Sequence, residues 1–586
     1  MATTETKNCQ NCKHSFTIEP DDFGFYEKMQ VPPPTWCPEC RMMRRMLFWN
    51  EHNFFKKLEK RTGKEIFSAY PPEADREIYE RDYWWTDNWD PLSYGRDIDW
   101  NKSFLQQIHE LELVVPLPAR SMIRNVNCDY SNECADLKNC YLCFNADQSE
   151  DCMYGVGMLQ LKNCMDMLRL TSSELCYEMF GGLKNYQCFF GNVLTGCRNV
   201  WLSYNCEDCS NCFGCVNLRH KQYYMFNKQY TKEEYFAKLK EMNLGSHKAL
   251  SELKEQFRQF SLTQPRKFIT ALQNQNVTGD FIRHSKNTHQ SFSIVDSENV
   301  KYAQSVLMGA KETYDYTNWG NNVELVYESQ SVGENAQRIK FTYQAFSGIN
   351  DLEYCVYCPG SNNLFGCVGM HKKQYCILNK QYSKEEYLEL VPKIKKHMTD
   401  MPYVDKQGRV YPYGEFFPLE FSPYAVNETT VMDFMEMDKE KAARYGLVWR
   451  EPNPKEYQIT IKAEDLPDHI NEVTDVMIKQ VIGCATCGRG YRIIPAEMVF
   501  LKRFGLPLPR ECFNCRHTRR VHLRNWPVWY NGTCQCIGAA DSRGIYKNIA
   551  THTHGQDACA NVFVTSYAPD RKEIVYCEAC YQAEVV

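Results

Sequence analysis

CDYSNECADLKNCYLCFNADQSEDCMYGVGMLQLKNCMDMLRLTSSELCYEMFGGLKNYQC, residues 128–188, carries a cysteine every twelve positions. The rungs are Cys128, Cys140, Cys152, Cys164, Cys176 and Cys188, and the frame continues through Val200, Cys212 and Tyr224. Asn or Asp often precedes a rung (Asn127, Asn139, Asp151, Asn163, Asn199, Asn211), and a large apolar residue usually follows it. A second small or apolar series stands six residues past each rung, among them Cys134, Ala146, Met158, Leu170 and Cys206. A sub-period of six fits neither a heptad nor the longer period of helical repeat arrays. It predicts a mainly β chain built on a right-handed β-solenoid, with coils stacked at ~4.8 Å and like residues in columns. One physical coil holds either one sequence repeat or two.

The ladder has a second, blurred copy. Lys221–Lys228 (KQYYMFNK) returns as Lys373–Lys380 (KQYCILNK), and Asn211–Cys215 (NCFGC) as Asn363–Cys367 (NLFGC), both at an offset of 152. Tyr230–Tyr235 is likewise echoed by Tyr382–Tyr387. Between these ends the twelve-residue step survives at Asn287-Thr288 and Asn299-Val300, then is lost until Leu352, Leu364 and Cys376. The solenoid is therefore expected in two halves, 125–228 and 268–380, each closed by a helix in 229–267 or 381–480, as open last coils require.

The chain has 586 residues, a formal net charge of −5 and thirty cysteines. That charge excludes a globally basic nucleic-acid coat, though not a local basic patch. The start MATTETKNCQNC has no basic-then-apolar leader, and no run of eighteen apolar residues occurs. The expectation is a cytoplasmic, reducing location with no membrane partner, where paired cysteines bind metal and single ones pack as small hydrophobes. Seventeen cysteines lie between Cys128 and Cys376, and the other thirteen fall in three clusters.

In residues 1–50, Cys9-x-x-Cys12 and Cys37-x-x-Cys40 have the spacing of two zinc knuckles on one tetrahedral ion, and Arg41, Arg44 and Arg45 follow. In residues 481–530 the pattern returns as Cys484-x-x-Cys487 and Cys512-x-x-Cys515, followed by Arg516, Arg519 and Arg520. Each stretch, over about 45 residues, resembles the treble-clef zinc-ribbon family, whose second knuckle opens a helix with Arg-x-x-Arg-Arg. A third, degenerate copy spans 531–586. Cys559, aligned through Phe563, and Cys577-x-x-Cys580 supply three ligands, but Gln556 stands where the fourth belongs. Cys536 is the chosen fourth ligand, with His554, Cys534 and His552 as rivals. Two to three structural Zn²⁺ ions are expected. The combination of modules and ladder resembles uncharacterised bacterial proteins, a resemblance that implies no activity.

The aromatic-rich segment 51–124 reads as a docking layer between the first module and the solenoid. Residues 402–470 read as a connector, with a short strand at Tyr457–Ile461. Cys206, Cys209, Cys212 and Cys215 superficially suggest an iron–sulfur cluster. The solenoid frame explains them instead, on the expectation that residues three apart face opposite ways. No catalytic motif stands out.

The chain thus reads as a cytosolic zinc-binding scaffold presenting a solenoid face to a protein partner, of unknown oligomeric state. The alternative is a nucleic-acid-binding protein whose Arg41, Arg44, Arg45, Arg516, Arg519, Arg520 and Arg524 contact phosphates. A carbohydrate-active enzyme is a distant third, by fold analogy alone.

Overall fold

The computed structural model describes residues 4–451, 458–538 and 541–585. The chain is mainly β, with parallel pairs dominating. Seven short strands from Met122–Ile123 to Asn192–Thr195 form one parallel sheet in sequence order. Each strand lies on the residues twelve positions further along, as in Val156↔Leu168 and Phe180↔Asn192. The same step recurs on other sides, in Lys138↔Glu150 and Tyr141↔Met153. One turn of this first ladder is therefore one sequence repeat. It continues through Arg198–Trp201, Ser210–Phe213 and Gln222–Met225.

The backbone reveals a finer period. From Glu133 to Phe226 every third residue has a positive φ, between 45° and 66°. Each such residue turns the chain, so a twelve-residue turn has four sides, and the residue after each corner points inward. Asn and Asp tolerate the left-handed region better than most residues. That is why Asn127, Asn139, Asp151, Asn163, Asn199 and Asn211 stand before the rungs.

Inward positions therefore recur every three residues, and the expectation that residues three apart face opposite ways is corrected. Cys206, Cys209, Cys212 and Cys215 are the four inward side chains of a single turn, all buried in one core with the ladder cysteines. The lumen of so short a turn admits small side chains, and a thiol also supplies a weak donor. Cys134 Sγ donates to the carbonyl of Asn132 at 2.9 Å. At equivalent positions Ser149 and Ser173 make the same bond, also at 2.9 Å.

The second ladder is irregular for a physical reason. Its pairing steps by eleven residues at Val277↔Thr288, twelve at Phe292↔Gln304, thirteen at Val300↔Thr313 and Val323↔Ala336, then twelve again at Leu352↔Leu364. Both ladders end alike. Asn227 and Asn379 each turn a side-chain amide back onto both backbone groups of one residue below, Val216 and Val368. Capping boxes then start the helices Lys232–Glu241, at Thr231/Glu234, and Lys384–Asp400, at Ser383/Glu386.

The aromatic segment packs largely on the second ladder. The Phe104 ring lies 5.5 Å from Phe365, and that of Trp84 4.2 Å from His371. Gly366 permits this approach, since a Cβ there would sit 2.8 Å from the Phe104 ring. The strand expected at Tyr457–Ile461 begins outside the described residues, and a two-residue strand forms at Ile461–Lys462.

Glu133, on the first ladder, joins the two. Its carboxyl accepts from Trp49 Nε1 at 2.7 Å, Asn318 Nδ2 at 3.3 Å and Gln344 Nε2 at 3.0 Å. Burial, reinforced by the Glu51 charge, pushes its pKa up to about 8. The native state then holds a proton that the unfolded chain releases near an ordinary Glu pKa of ~4.3. The resulting stability is complete below that value and is lost as the pH rises through 8. The unfolding free energy from urea titrations should therefore fall between pH 6 and pH 9, by on the order of a few kcal/mol, and Glu133→Gln should flatten the slope. An equally steep decline in the variant would show that other groups carry it.

Candidate metal centres

The sulfurs of Cys9, Cys12, Cys37 and Cys40 all lie within 4.8 Å of one another, as do those of Cys484, Cys487, Cys512 and Cys515. A strand pair presents two thiols of each group and a helix start the other two. Glu5–Asn8 pairs with Ser15–Ile18 around the first knuckle, and Cys37 caps the helix Pro38–Met46. In the later copy Ile482–Gly483 pairs with Gly490–Tyr491, and Cys512 caps Phe513–Val521. The positive end of each helix dipole favours thiolate there.

Cys12 and Cys37 are 3.7 Å apart, sulfur to sulfur, and Cys487 and Cys512 3.8 Å. A tetrahedral ion with ~2.3 Å bonds to sulfur sets its ligands ~3.8 Å apart. Both groups thus have the spacing such an ion imposes. Burial alone would raise the Cys484 thiol, but the N–H groups of Cys487 and Cys512 directed at it hold it down at about 7.

The third group corrects one expectation. Cys534, not Cys536, gathers with Cys559, Cys577 and Cys580. Its backbone identifies it as the counterpart of Cys9 and Cys484. Those residues donate N–H bonds to carbonyls five residues on, His14 and Arg489, and Cys534 donates to Asn561, two residues past Cys559. Tyr530–Thr533 pairs with Val562–Thr565 as the earlier strands do. The first knuckle is therefore present but split, with residues 535–558 inserted between its two cysteines. Cys577 donates its N–H to Cys534 Sγ at 3.2 Å, as Cys512 does to Cys484 Sγ at 3.3 Å. Cys534 stood among the rivals for the fourth place, and the structure selects it over Cys536. The useful signal was a cysteine directly after a strand.

The arginines are also corrected. Arg41, Arg44, Arg45, Arg516 and Arg520 are buried at 2% exposure or less, so they present nothing to a phosphate backbone. They fasten the modules to the ladders. Asp315 pairs with Arg41 at 2.9 Å and Arg45 at 3.0 Å, while Arg44 meets Glu328 at 2.7 Å and Glu415 at 2.8 Å. The later copy repeats this geometry. Asp166 lies 3.3 Å from Arg516 and 3.2 Å from Arg520, and Arg519, itself half-exposed, meets Glu178 at 2.7 Å. Arg524 is buried too, and donates to the Asp433 carbonyl. Asp166 and Glu178 occupy corners one turn apart, as do Asp315 and Glu328. The docking is crossed: the first module sits on the second ladder, and the later module on the first.

His52, Asp433 and His517 also converge, but supply only three ligands. The hydrogen bonds of 3.1 and 3.0 Å from His517 to Asp433 account for the grouping without an ion.

No family model matches the chain, and no curated protein matches it. Among solved structures, the chain is similar to a protein from Desulfovibrio desulfuricans G20 assigned provisionally as an acetyltransferase. The identity is 8% and the TM-score 0.09, over 50% of this chain and 77% of that one. At that score the likeness carries no argument. Among the described residues no helix is long and apolar enough to cross a membrane.

Proposed function

We propose that this protein is a cytosolic scaffold. Its two ladders are the halves of a right-handed β-solenoid, and zinc-loaded treble-clef modules are keyed into its flanks. The observation that carries this reading is the crossed docking, in which each Arg-x-x-Arg-Arg helix spends its guanidinium groups on ladder carboxylates. The Cys₄ groups offer four thiolates each, which fill a tetrahedral sphere and suit structural zinc. Parallel β connections are right-handed in nearly all proteins, which supports the winding.

The partner we assign to the scaffold is a protein segment. A cavity of about 860 Å³ opens between the first ladder, the helix His247–Leu262 and the second module. Arg516, Arg519, Arg520 and Arg524 in its wall are already spent on Asp166, Glu178 and Asp433, while Arg258 and Lys572 stand exposed on its rim. The test is a pull-down from native lysate, with and without nuclease, using wild type and an Arg258→Glu/Lys572→Glu variant altered on the exposed rim. A protein should be retained by wild type, lost by the variant and unaffected by nuclease. Retention that nuclease abolishes would favour nucleic acid, and equal retention by both proteins would remove the cavity from the argument.

A further inference from the structure

The insertion that splits the third knuckle brings ligands of its own. Cys536, His552 and His554 converge with Cys580 so that their ligand atoms all lie within 4.8 Å of one another. Cys580 belongs to this group and also to the Cys534, Cys559 and Cys577 group. We propose that the third module holds two zinc ions bridged by the Cys580 thiolate, an inference that rests on the structural-zinc reading of the Cys₄ groups.

The hydrogen bonds orient both imidazoles for this role. His554 Nδ1 is 2.7 Å from the carbonyl of Asp557, which can only accept, so Nδ1 carries the proton. The lone pair is then on Nε2, which lies 3.4 Å from Cys536 Sγ and 3.4 Å from Cys580 Sγ. His552 Nε2 donates to Glu584 at 2.9 Å, leaving Nδ1 to bind. Glu584 is fixed in turn by the N–H groups of Ile549 and Ala550 and by the Tyr546 hydroxyl. A carboxylate or carbonyl holding the far nitrogen is the usual support of a metal-bound histidine. Asn548 Nδ2 points at Cys536 Sγ from 3.2 Å, as a donor to a thiolate would.

Ligand number and charge agree. Residues 531–586 contain five cysteines and two histidines at these positions, and two tetrahedral ions sharing one ligand need seven. An isolated Cys₄ site carries two net negative charges, whereas five thiolates on two divalent ions carry one, so the second ion relieves buried charge. Both ions have full coordination spheres, which makes the pair structural.

The test uses the full chain, purified without chelators, and counts zinc per chain by elemental analysis. Four ions are expected. His554→Ala and Cys536→Ser should each lose one, while His554→Cys, which restores a ligand, should keep four. Three ions in wild type would overturn the second ion while leaving the Cys₄ reading intact, and fewer than three would count against that reading itself. Cadmium-113 replacement examines the bridge. Two third-module signals coupled through a shared sulfur are expected, and two uncoupled signals would mean separate ions and overturn the bridge.

Discussion

If zinc fills the Cys₄ groups as proposed, a chelator will melt the modules of the full chain and weaken both ladders with them. Structural zinc sites contribute ~10–16 kcal/mol each in small zinc modules, against a total stability of ~5–15 kcal/mol for an ordinary domain. Each of the first two modules is two short strands and two helices gathered around one thiolate cluster, with the helices also packed on the ladders. Ladders that stood alone would keep their β signal under chelation. Here the damage should spread, because losing the helix Pro38–Met46 strands Asp315 and Glu328, and losing Phe513–Val521 strands Asp166. Far-ultraviolet circular dichroism melts, with and without chelator and after zinc is restored, measure this. A β transition that stays at the same temperature without metal would show the ladders to be self-sufficient.

The second large effect comes from one carboxylate. Asp315→Ala leaves Arg41 and Arg45 buried without their shared counter-charge, and breaking a buried pair from one side costs ~3–5 kcal/mol. Asp166→Ala should do the same through Arg516 and Arg520, although Glu497, 3.1 Å from Arg516, remains to one of them. The contrast is Asp136, whose pair with Arg124 is solvent-exposed. Its replacement by Ala should cost under ~1 kcal/mol. Urea denaturation of the three variants separates these outcomes, and similar losses at Asp136 and Asp315 would mean that the buried network contributes nothing special.

The first ladder was legible because its turns hold twelve residues without exception over the cysteine run, so one spacing exposed it. Its corners were not, because a period of three is concealed inside six and twelve when inward positions alternate among Cys, Ser, Gly and Leu. The second ladder blurred where its turns pass from eleven to thirteen residues, which shifts columns without breaking pairing. Two metal groups were readable because each knuckle is intact. The third group was readable only down to a choice, because the insertion before Cys559 leaves Cys534, Cys536, His552 and His554 all as candidates for its fourth place. The arginines misled for another reason. A cation on a short helix is ordinarily solvated, and only Asp and Glu standing one turn apart in both ladders, Asp166/Glu178 and Asp315/Glu328, hinted at acceptors waiting for them.

The crossed docking has a consequence for how the chain is made. A ribosome releases the first module and first ladder early, yet neither can meet its partner then. Arg45 waits for Asp315, 270 residues downstream, and Glu178 for Arg519, 341 residues on. At ~5–20 residues per second, that second interval lasts on the order of tens of seconds. Throughout it the nascent first ladder carries uncapped carboxylates and the bare flank that residues 495–524 will cover. Late elongation, rather than early, is when this protein becomes whole, and a stalled or truncated product would expose that flank to whatever chaperone or protease is near.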